Sequence, residues 1–198
     1  AKLLPNLPQN HHDRLRKKVD ALIIRTSPQN SYVEKLQKLL KHSTKVLEIG
    51  SGTGQHAIWF APRLPWLIWL SSDLPNQLSG IKKWYKDFPS ENLAPPIALN
   101  VSERWAITEH DAIFSANTAH IMHLSVVKNM ITNGARSLPS KGLFCLYGPF
   151  IFENSWLTES NRIFHRKLQD LDQHMGLRKF DDLNELAIAG SMELIEIK

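Results

Sequence analysis

Val46–His56 reads VLEIGSGTGQH, and this stretch decides the fold. An apolar run ends in Glu48-Ile49, and Gly50, Gly52 and Gly54 then alternate with the small residues Ser51 and Thr53. A helical pattern follows from Gln55. The pattern predicts a strand that enters a tight glycine turn and then a helix N-terminus, the usual seat of a nucleotide-like ligand. The three glycines let the backbone turn sharply and approach a ligand without Cβ clashes. A turn that merely joined two elements would not need three of them, given the entropy of ordering glycine.

Outward from this turn, short apolar segments alternate with amphipathic ones. The spacing predicts strands at Leu67–Ser71, Pro96–Leu99, Asp111–Ser115, Leu143–Tyr147 and, last, Glu193–Ile197. Helices are expected over Gln55–Leu64, Gln77–Lys86, Ser125–Ser137, Asn161–His174 and Asp181–Ala189. Before the turn, Asn10–Ile24 and Ser31–Lys41 carry apolar residues at helical spacing, separated by Ser27-Pro28. Such alternation means an α/β fold, a doubly wound and mainly parallel sheet with helices on both faces. Two domains are expected: a basic N-terminal extension or lid over residues 1–30, and a ligand-binding domain over 31–198.

Composition narrows the class. In 198 residues, 42% apolar and 22% charged content is ordinary for a globular chain with a full-sized core. Cys145 is the single cysteine, so no disulfide framework exists, which fits a reducing, cytoplasmic setting. The longest apolar stretch, Ala57–Leu70, is broken by Pro62, Arg63 and Pro65, so no membrane role is expected. The net charge of +5 is uneven: residues 1–45 hold ten Lys/Arg against three Asp/Glu, and residues 46–198 hold fourteen against sixteen. A solvated amphipathic helix accounts for the basic arm; Tyr32 is its one aromatic residue, so a base-stacking nucleic-acid surface is not expected there.

In a doubly wound sheet, ligands bind beyond the carboxyl ends of the strands. That selects Gly50–Gly54, Asp73, Asn100, Asn117 and Tyr147-Gly148. The spacing G-x-G-x-G differs from the G-x-G-x-x-G of dinucleotide enzymes. A carboxylate at Glu48 would repel a pyrophosphate, whereas S-adenosylmethionine presents an ammonium and a sulfonium. The expected cofactor is therefore S-adenosylmethionine, with an NAD(P) oxidoreductase as a competing reading. Glu48 could instead be a solvent-facing acid at a strand end.

Asp73, nineteen residues after Gly54, is placed to accept from both ribose hydroxyls, or to cap the next helix. Asn100 could accept from an adenine amino group, or serve a turn. Ser51, His56, Leu74 and Val101 flank these positions and complete the expected cofactor set, together with Asn117. Asn117, His120 and Tyr147 are the candidates for the catalytic side: Asn117 to orient a substrate, His120 to take a proton, Tyr147 to lie over the cleft. Each has a packing alternative. His110, Asp111, His120 and His123 invite a metal reading, but Asp111 opens a strand whose other end precedes His120, so no metal is expected.

The strings LEIGSGTGQHAIWFA, SSDL, DAIFSANTAHI, GLFCLYGPF, ESNRIF and GLRKFDDLNELA together resemble the methyltransferase-like 26 family over roughly residues 27–195. SGTGQHA and YGPF carry the resemblance; G-x-G-x-G alone marks only a superfamily. The resemblance implies a class I S-adenosylmethionine-dependent methyltransferase fold and a cofactor site at Gly50, Gly52, Gly54, Asp73 and Asn100. It implies methyl transfer mainly by positioning, to a small or exposed nucleophile that the resemblance does not name. A non-catalytic cofactor-binding or scaffold protein of the same fold is the alternative.

The chain departs from the family's pattern at several points. Gly50 stands where the family has Ala, and Asn100 where it has Asp. Asn30, in QNSY, is the remnant of an E-R-N string. The final antiparallel strand of such folds is expected to be missing, which would leave a sheet edge for a partner or a homodimer.

Overall fold

Lys45–Ile49 (β1) is the middle strand of a five-stranded parallel sheet in the computed structural model, which describes residues 34, 36–106, 110–153 and 158–195. The other strands are β2 (Ile68–Asp73), β3 (Leu93–Ala98), β4 (Ala112–Ala116) and β5 (Leu143–Tyr147). Their order is β3-β2-β1-β4-β5, and every neighbouring pair is parallel. The helices are α1 (Gln55–Phe60), α2 (Leu78–Asp87), α3 (Leu124–Ser137), α4 (Glu159–Leu171) and α5 (Phe180–Ala189). This is the expected doubly wound fold. The chain divides into two compact units, residues 1–42 and 43–198, and the larger unit holds the whole sheet. The expected helix over 10–24, the lid over residues 1–30 with its boundary, and Asn30 lie outside the described residues.

Strand alternation distributes β1 between two apolar layers. Leu47 and Ile49 join Leu70 of β2 and Ile113 of β4 in a cluster with Val127, Met130 and Ile131 of α3 and Leu183 of α5. On the opposite face, Trp69 of β2 and Phe114 of β4 meet Phe60 of α1, with ring centroids 5.5–5.8 Å apart. A strand buried on both faces must be apolar almost throughout, which is why the KVLEI run reads as it does.

The expected strand at Pro96–Leu99 is longer and begins at Leu93. It is an edge strand, where Pro95 and Pro96 sacrifice no ladder bond the sheet needs, and its register against β2 shifts between Leu70 and Ser72. The expected strand from Glu193 is not formed over residues 193–195; residues beyond 195 are outside the described set. The reason is local. Ser191 takes a left-handed φ of 61°, and Met192 N–H donates to Ala187 O, so the chain reverses on the last turn of α5. Among the described residues, β5 carries no strand on its outer side. A short parallel pair, β6 (Phe150–Ile151) with β7 (Arg178–Lys179), joins the segment after β5 to the start of α5.

Strand order reverses between β1, which continues to β2, and β4, which follows the crossover from β3. In such a sheet the ligand cleft lies beyond this reversal, at the Ile49 and Ala116 ends of the strands.

Candidate functional site

The turn after β1 is shaped by backbone. Gly50, Gly52 and Gly54 all adopt left-handed φ values, 68°, 58° and 86°. Ser51 N–H donates to Ser72 O and Gly54 N–H to Ser51 O, while the buried Ser51 hydroxyl accepts from Ser72 N–H. The turn is thus laced to the end of β2. Among the described residues, a Cβ on Gly52 would meet nothing within 4 Å, so none of them fills the space over the turn. A Cβ on Gly50 would lie 2.5 Å from Thr118 Cγ2. The methyl of this threonine, in the loop after β4, occupies the space that a side chain at position 50 would need.

Asp73 closes the other side. One carboxylate oxygen accepts from Gly52 N–H at 2.7 Å and the other from Leu74 N–H at 2.7 Å. Both oxygens retain lone pairs, and Leu74 beside them is an exposed apolar side chain. An acid with free acceptor capacity, an adjoining apolar surface and a Cβ-free turn fit a nucleoside's ribose and base.

Glu48 is not a solvent-facing acid. It is 1% exposed and lies beneath the turn. Oε2 accepts from Trp69 Nε1–H and from Ser71 Oγ–H, both at 2.8 Å, and Oε1 faces His56 Nδ1 at 3.4 Å. Burial pushes this carboxyl up, but the His56 ring and its charge, with Trp69 and Ser71, outweigh that and hold it below the ordinary value. Tyr85 donates to Ser71 Oγ at 2.8 Å and extends the network; burial holds its phenol far above the usual range. His56, in the first turn of α1, stacks on Phe60 and meets the edge of Phe114. Glu48 therefore supports the turn from below as a buried side chain, with the partly exposed His56 beside it.

At the end of β3 the side chain of Asn100 is engaged locally. It accepts from Ser102 N–H and donates to Glu103 Oε1 at 2.8 Å. This is a turn asparagine's arrangement, the alternative weighed above. Val101 is buried in the β1–α3 apolar cluster.

The loop after β4 forms the opposite wall. Asn117 is exposed, sits at a left-handed φ of 57°, and donates its N–H to Tyr147 O at 2.9 Å. A Cβ on Gly148 would lie 3.9 Å from Asn117 Oδ1, so the amide stands beside the bend after β5. Tyr147 is half-buried. His120 is 7% exposed, packed edge-on against Phe164 at 5.2 Å. Burial, and then the Arg178 charge, lower its pKa below the ordinary histidine value. Of the three catalytic candidates, Asn117 is the one fully open to solvent.

His110 and Asp111 lie at the other end of β4. Asp111 accepts from Thr44 N–H, Thr44 Oγ1–H and Lys45 N–H, clamping the start of β1, and His110 Nε2 pairs with Ser137 Oγ. They do not converge with His120 or His123. Cys145 is half-buried, and desolvation pushes its thiol up to about 11, which disfavours the nucleophilic thiolate.

Two contributors escaped the sequence reading. Thr118, buried and hydrogen-bonded to Ser115 Oγ at 2.6 Å, sets how near the β4 loop stands to the glycine turn. Arg178 of β7 donates to the carbonyls of Ala119, Met122 and His174, tying the β4 loop to the turn after α4. The hint for Arg178 was an arginine inside the apolar GLRKF string, which must find acceptors once partly buried.

Solved structures share this architecture. An O-methyltransferase family protein from Burkholderia thailandensis matches with a TM-score of 0.74 at 13% identity, over 98% of this chain and 60% of its own. Human N-acetylserotonin methyltransferase, in complex with S-adenosylmethionine, matches at 0.70 and 14% identity, over 84% of this chain and 47% of its own. The YcgJ protein of Bacillus subtilis matches at 0.66 and 17% identity, over 85% and 71%. The chain thus spans about half to three fifths of the first two proteins, and at these identities the likeness concerns the fold. A family model described as protein of unknown function matches residues 26–197, and the chain belongs to that family, DUF938.

Proposed function

We propose that this chain is an S-adenosylmethionine-dependent methyltransferase, of the methyltransferase-like 26 kind, acting in the cytoplasm on a small or exposed nucleophile. One observation carries the reading: three left-handed glycines at the β1 tip, with Asp73 hydrogen-bonded from the β2 tip to a Gly52 whose added Cβ would meet no described residue within 4 Å. A pyrophosphate would meet a carboxylate there; a nucleoside meets acceptors for its hydroxyls.

When bound, S-adenosylmethionine supplies a methyl group on a sulfonium, which a nucleophile takes as the sulfur leaves with the bonding pair. The chain's residues hold and orient. Asp73 accepts from the ribose, Leu74 covers the base, and the Gly50–Gly54 turn lets the ligand lie against backbone. Asn117 orients the acceptor from the facing wall. Catalysis by positioning suits a site whose one exposed polar candidate on that wall is an amide, not a base.

The burial of His120, away from any substrate in the cleft, favours one other reading, a cofactor-binding protein without turnover. Titration calorimetry with S-adenosylmethionine, followed by release of S-adenosylhomocysteine over a broad acceptor panel, separates the two. Saturable binding with turnover supports the transferase. Binding without turnover selects the second reading. Binding of NAD(P) with no heat from S-adenosylmethionine overturns both.

A further inference from the structure

Away from the cleft floor, three side chains with metal-ligand chemistry converge from two segments. His123 stands at the N-terminus of α3, at the end of the β4 loop. Asp172 and His174 lie in the turn that follows α4. One ligand atom from each of the three lies within 4.8 Å of the other two. We propose that His123, Asp172 and His174 form a binding site for a divalent transition-metal ion, of which Zn²⁺ is the fitting example.

The turn is already set by its backbone. Met175 N–H donates to Asp172 O at 2.8 Å, Gly176 N–H to His120 O at 2.9 Å, and Arg178 to His174 O. Asp172 divides its oxygens usefully. Oδ1 accepts from His174 N–H at 2.8 Å, and Oδ2 is turned to His123 Nε2 at 3.6 Å. That leaves Oδ2 for an ion while Oδ1 is fixed by a supporting hydrogen bond, the arrangement that orients ligands in metal sites. The two imidazole rings lie side by side, centroids 4.3 Å apart and inclined by 25°.

Two imidazoles and one carboxylate suit Zn²⁺, Co²⁺ or Ni²⁺ and not Mg²⁺ or Ca²⁺, which take oxygen donors. Ligand atoms around Zn²⁺ stand ~3.4 Å apart, given bonds of ~2.0–2.1 Å in a tetrahedron. Both histidine side chains are exposed, so rotamer adjustments of about an ångström close the set without moving the backbone. The Arg178 guanidinium, the nearby cation, is directed at three carbonyls. With three protein ligands, a fourth position is left for water or an incoming oxygen donor. An ion here joins the turn after α4 to the β4 loop, the segment that carries Asn117 and His120. The site stands independently of the methyltransferase reading.

Calorimetric titration of the full chain with ZnCl₂ in a non-coordinating buffer tests this, with thermal denaturation alongside. The expected result is saturable binding of one ion, a raised melting temperature, and no response to Mg²⁺ or Ca²⁺. His123→Gln and His174→Gln each weaken binding at least ~10-fold, the scale seen when a metal site loses a supporting or ligating group. Both rings are exposed, so the two variants keep the wild-type circular dichroism and metal-free melting temperature. Zn²⁺ affinity unchanged in the His123→Gln/His174→Gln double variant, as when His11 and His12 capture the ion, overturns the proposal. So does the absence of saturable binding.

Discussion

Beyond β1 and β2 the cleft wall is made of backbone, whereas beyond β4 and β5 it is made of side chains gathered from distant parts of the chain. On the first side, three positive-φ glycines and Asp73 lie within 24 residues, and the hydrogen bonds run within that span. On the second, the loop from Asn117 to His123 is held by Tyr147, Phe164, Gly176 and Arg178. A backbone-built wall is rigid and specific for what can lie flat against it. A wall assembled from remote contacts tolerates substitution at each of them; under the proposed function, this is where acceptor choice can vary while the cofactor half stays the same.

The strongest way to break the first wall is from underneath. Glu48→Ala strips the partner from His56 and leaves Trp69 Nε1–H and Ser71 Oγ–H without their acceptor in a buried layer. Removing one member of a buried, hydrogen-bonded pair costs about 3–5 kcal/mol. Chemical denaturation reads it directly; a loss under about 1 kcal/mol would show that the network does not hold the turn. The pH dependence has a definite sign. Glu48 has its folded pKa below the ordinary glutamate value. Its contribution is fully present above the unfolded value and is lost as pH falls through the folded one. Glu48→Gln therefore flattens the acid limb of the stability profile.

The two walls meet at Gly50 and Thr118, so this pair tests whether they are coupled. Gly50→Ala places a methyl 2.5 Å from Thr118 Cγ2 at a backbone φ of 68°. Overpacking and left-handed strain together predict a loss of about 2–4 kcal/mol. Thr118→Ser removes Cγ2 and keeps the hydroxyl that pairs with Ser115. In the double variant the overpacking part is recovered and the φ part is not. A strictly additive cycle would mean that the walls are independent.

Asp73→Ala acts on the first wall alone. Cofactor affinity falls by about 1–3 kcal/mol, the value of a lost charge-assisted hydrogen bond, as read by calorimetry. Unchanged affinity removes the ribose assignment and leaves Asp73 as a clamp on Gly52.

The same contrast explains what the sequence disclosed. The apolar run, the glycine spacing and the acid nineteen residues on are local signals, and the parallel sheet and first wall follow from them. The direction of Glu48 was hidden because β1 is buried on both faces, so alternation carried no polarity. Asn100 reads alike whether it serves a ligand or a turn; only Ser102 and Glu103 around it decide. ELIEI is apolar enough to read as a strand, yet the chain reverses just before it, at Ser191 and Met192, and residues 193–195 form none. The β6–β7 pair is two residues per strand, too short for any period to register. Thr118 and Arg178 act through partners that only folding brings near.

The smallest effect isolates the second wall. Asn117 holds a left-handed φ of 57° while its N–H bonds Tyr147 O, so backbone and amide are separable. Asn117→Gly and Asn117→Ala both delete the amide, and Gly alone relaxes the φ. The Ala variant should be less stable than the Gly variant by about 1 kcal/mol, visible as a difference in melting temperature. Whatever cofactor affinity or turnover the two lose in common measures the amide itself. If both keep wild-type binding and turnover, the exposed side chain serves neither cofactor nor acceptor. The second wall then contributes through its backbone, as the first one does.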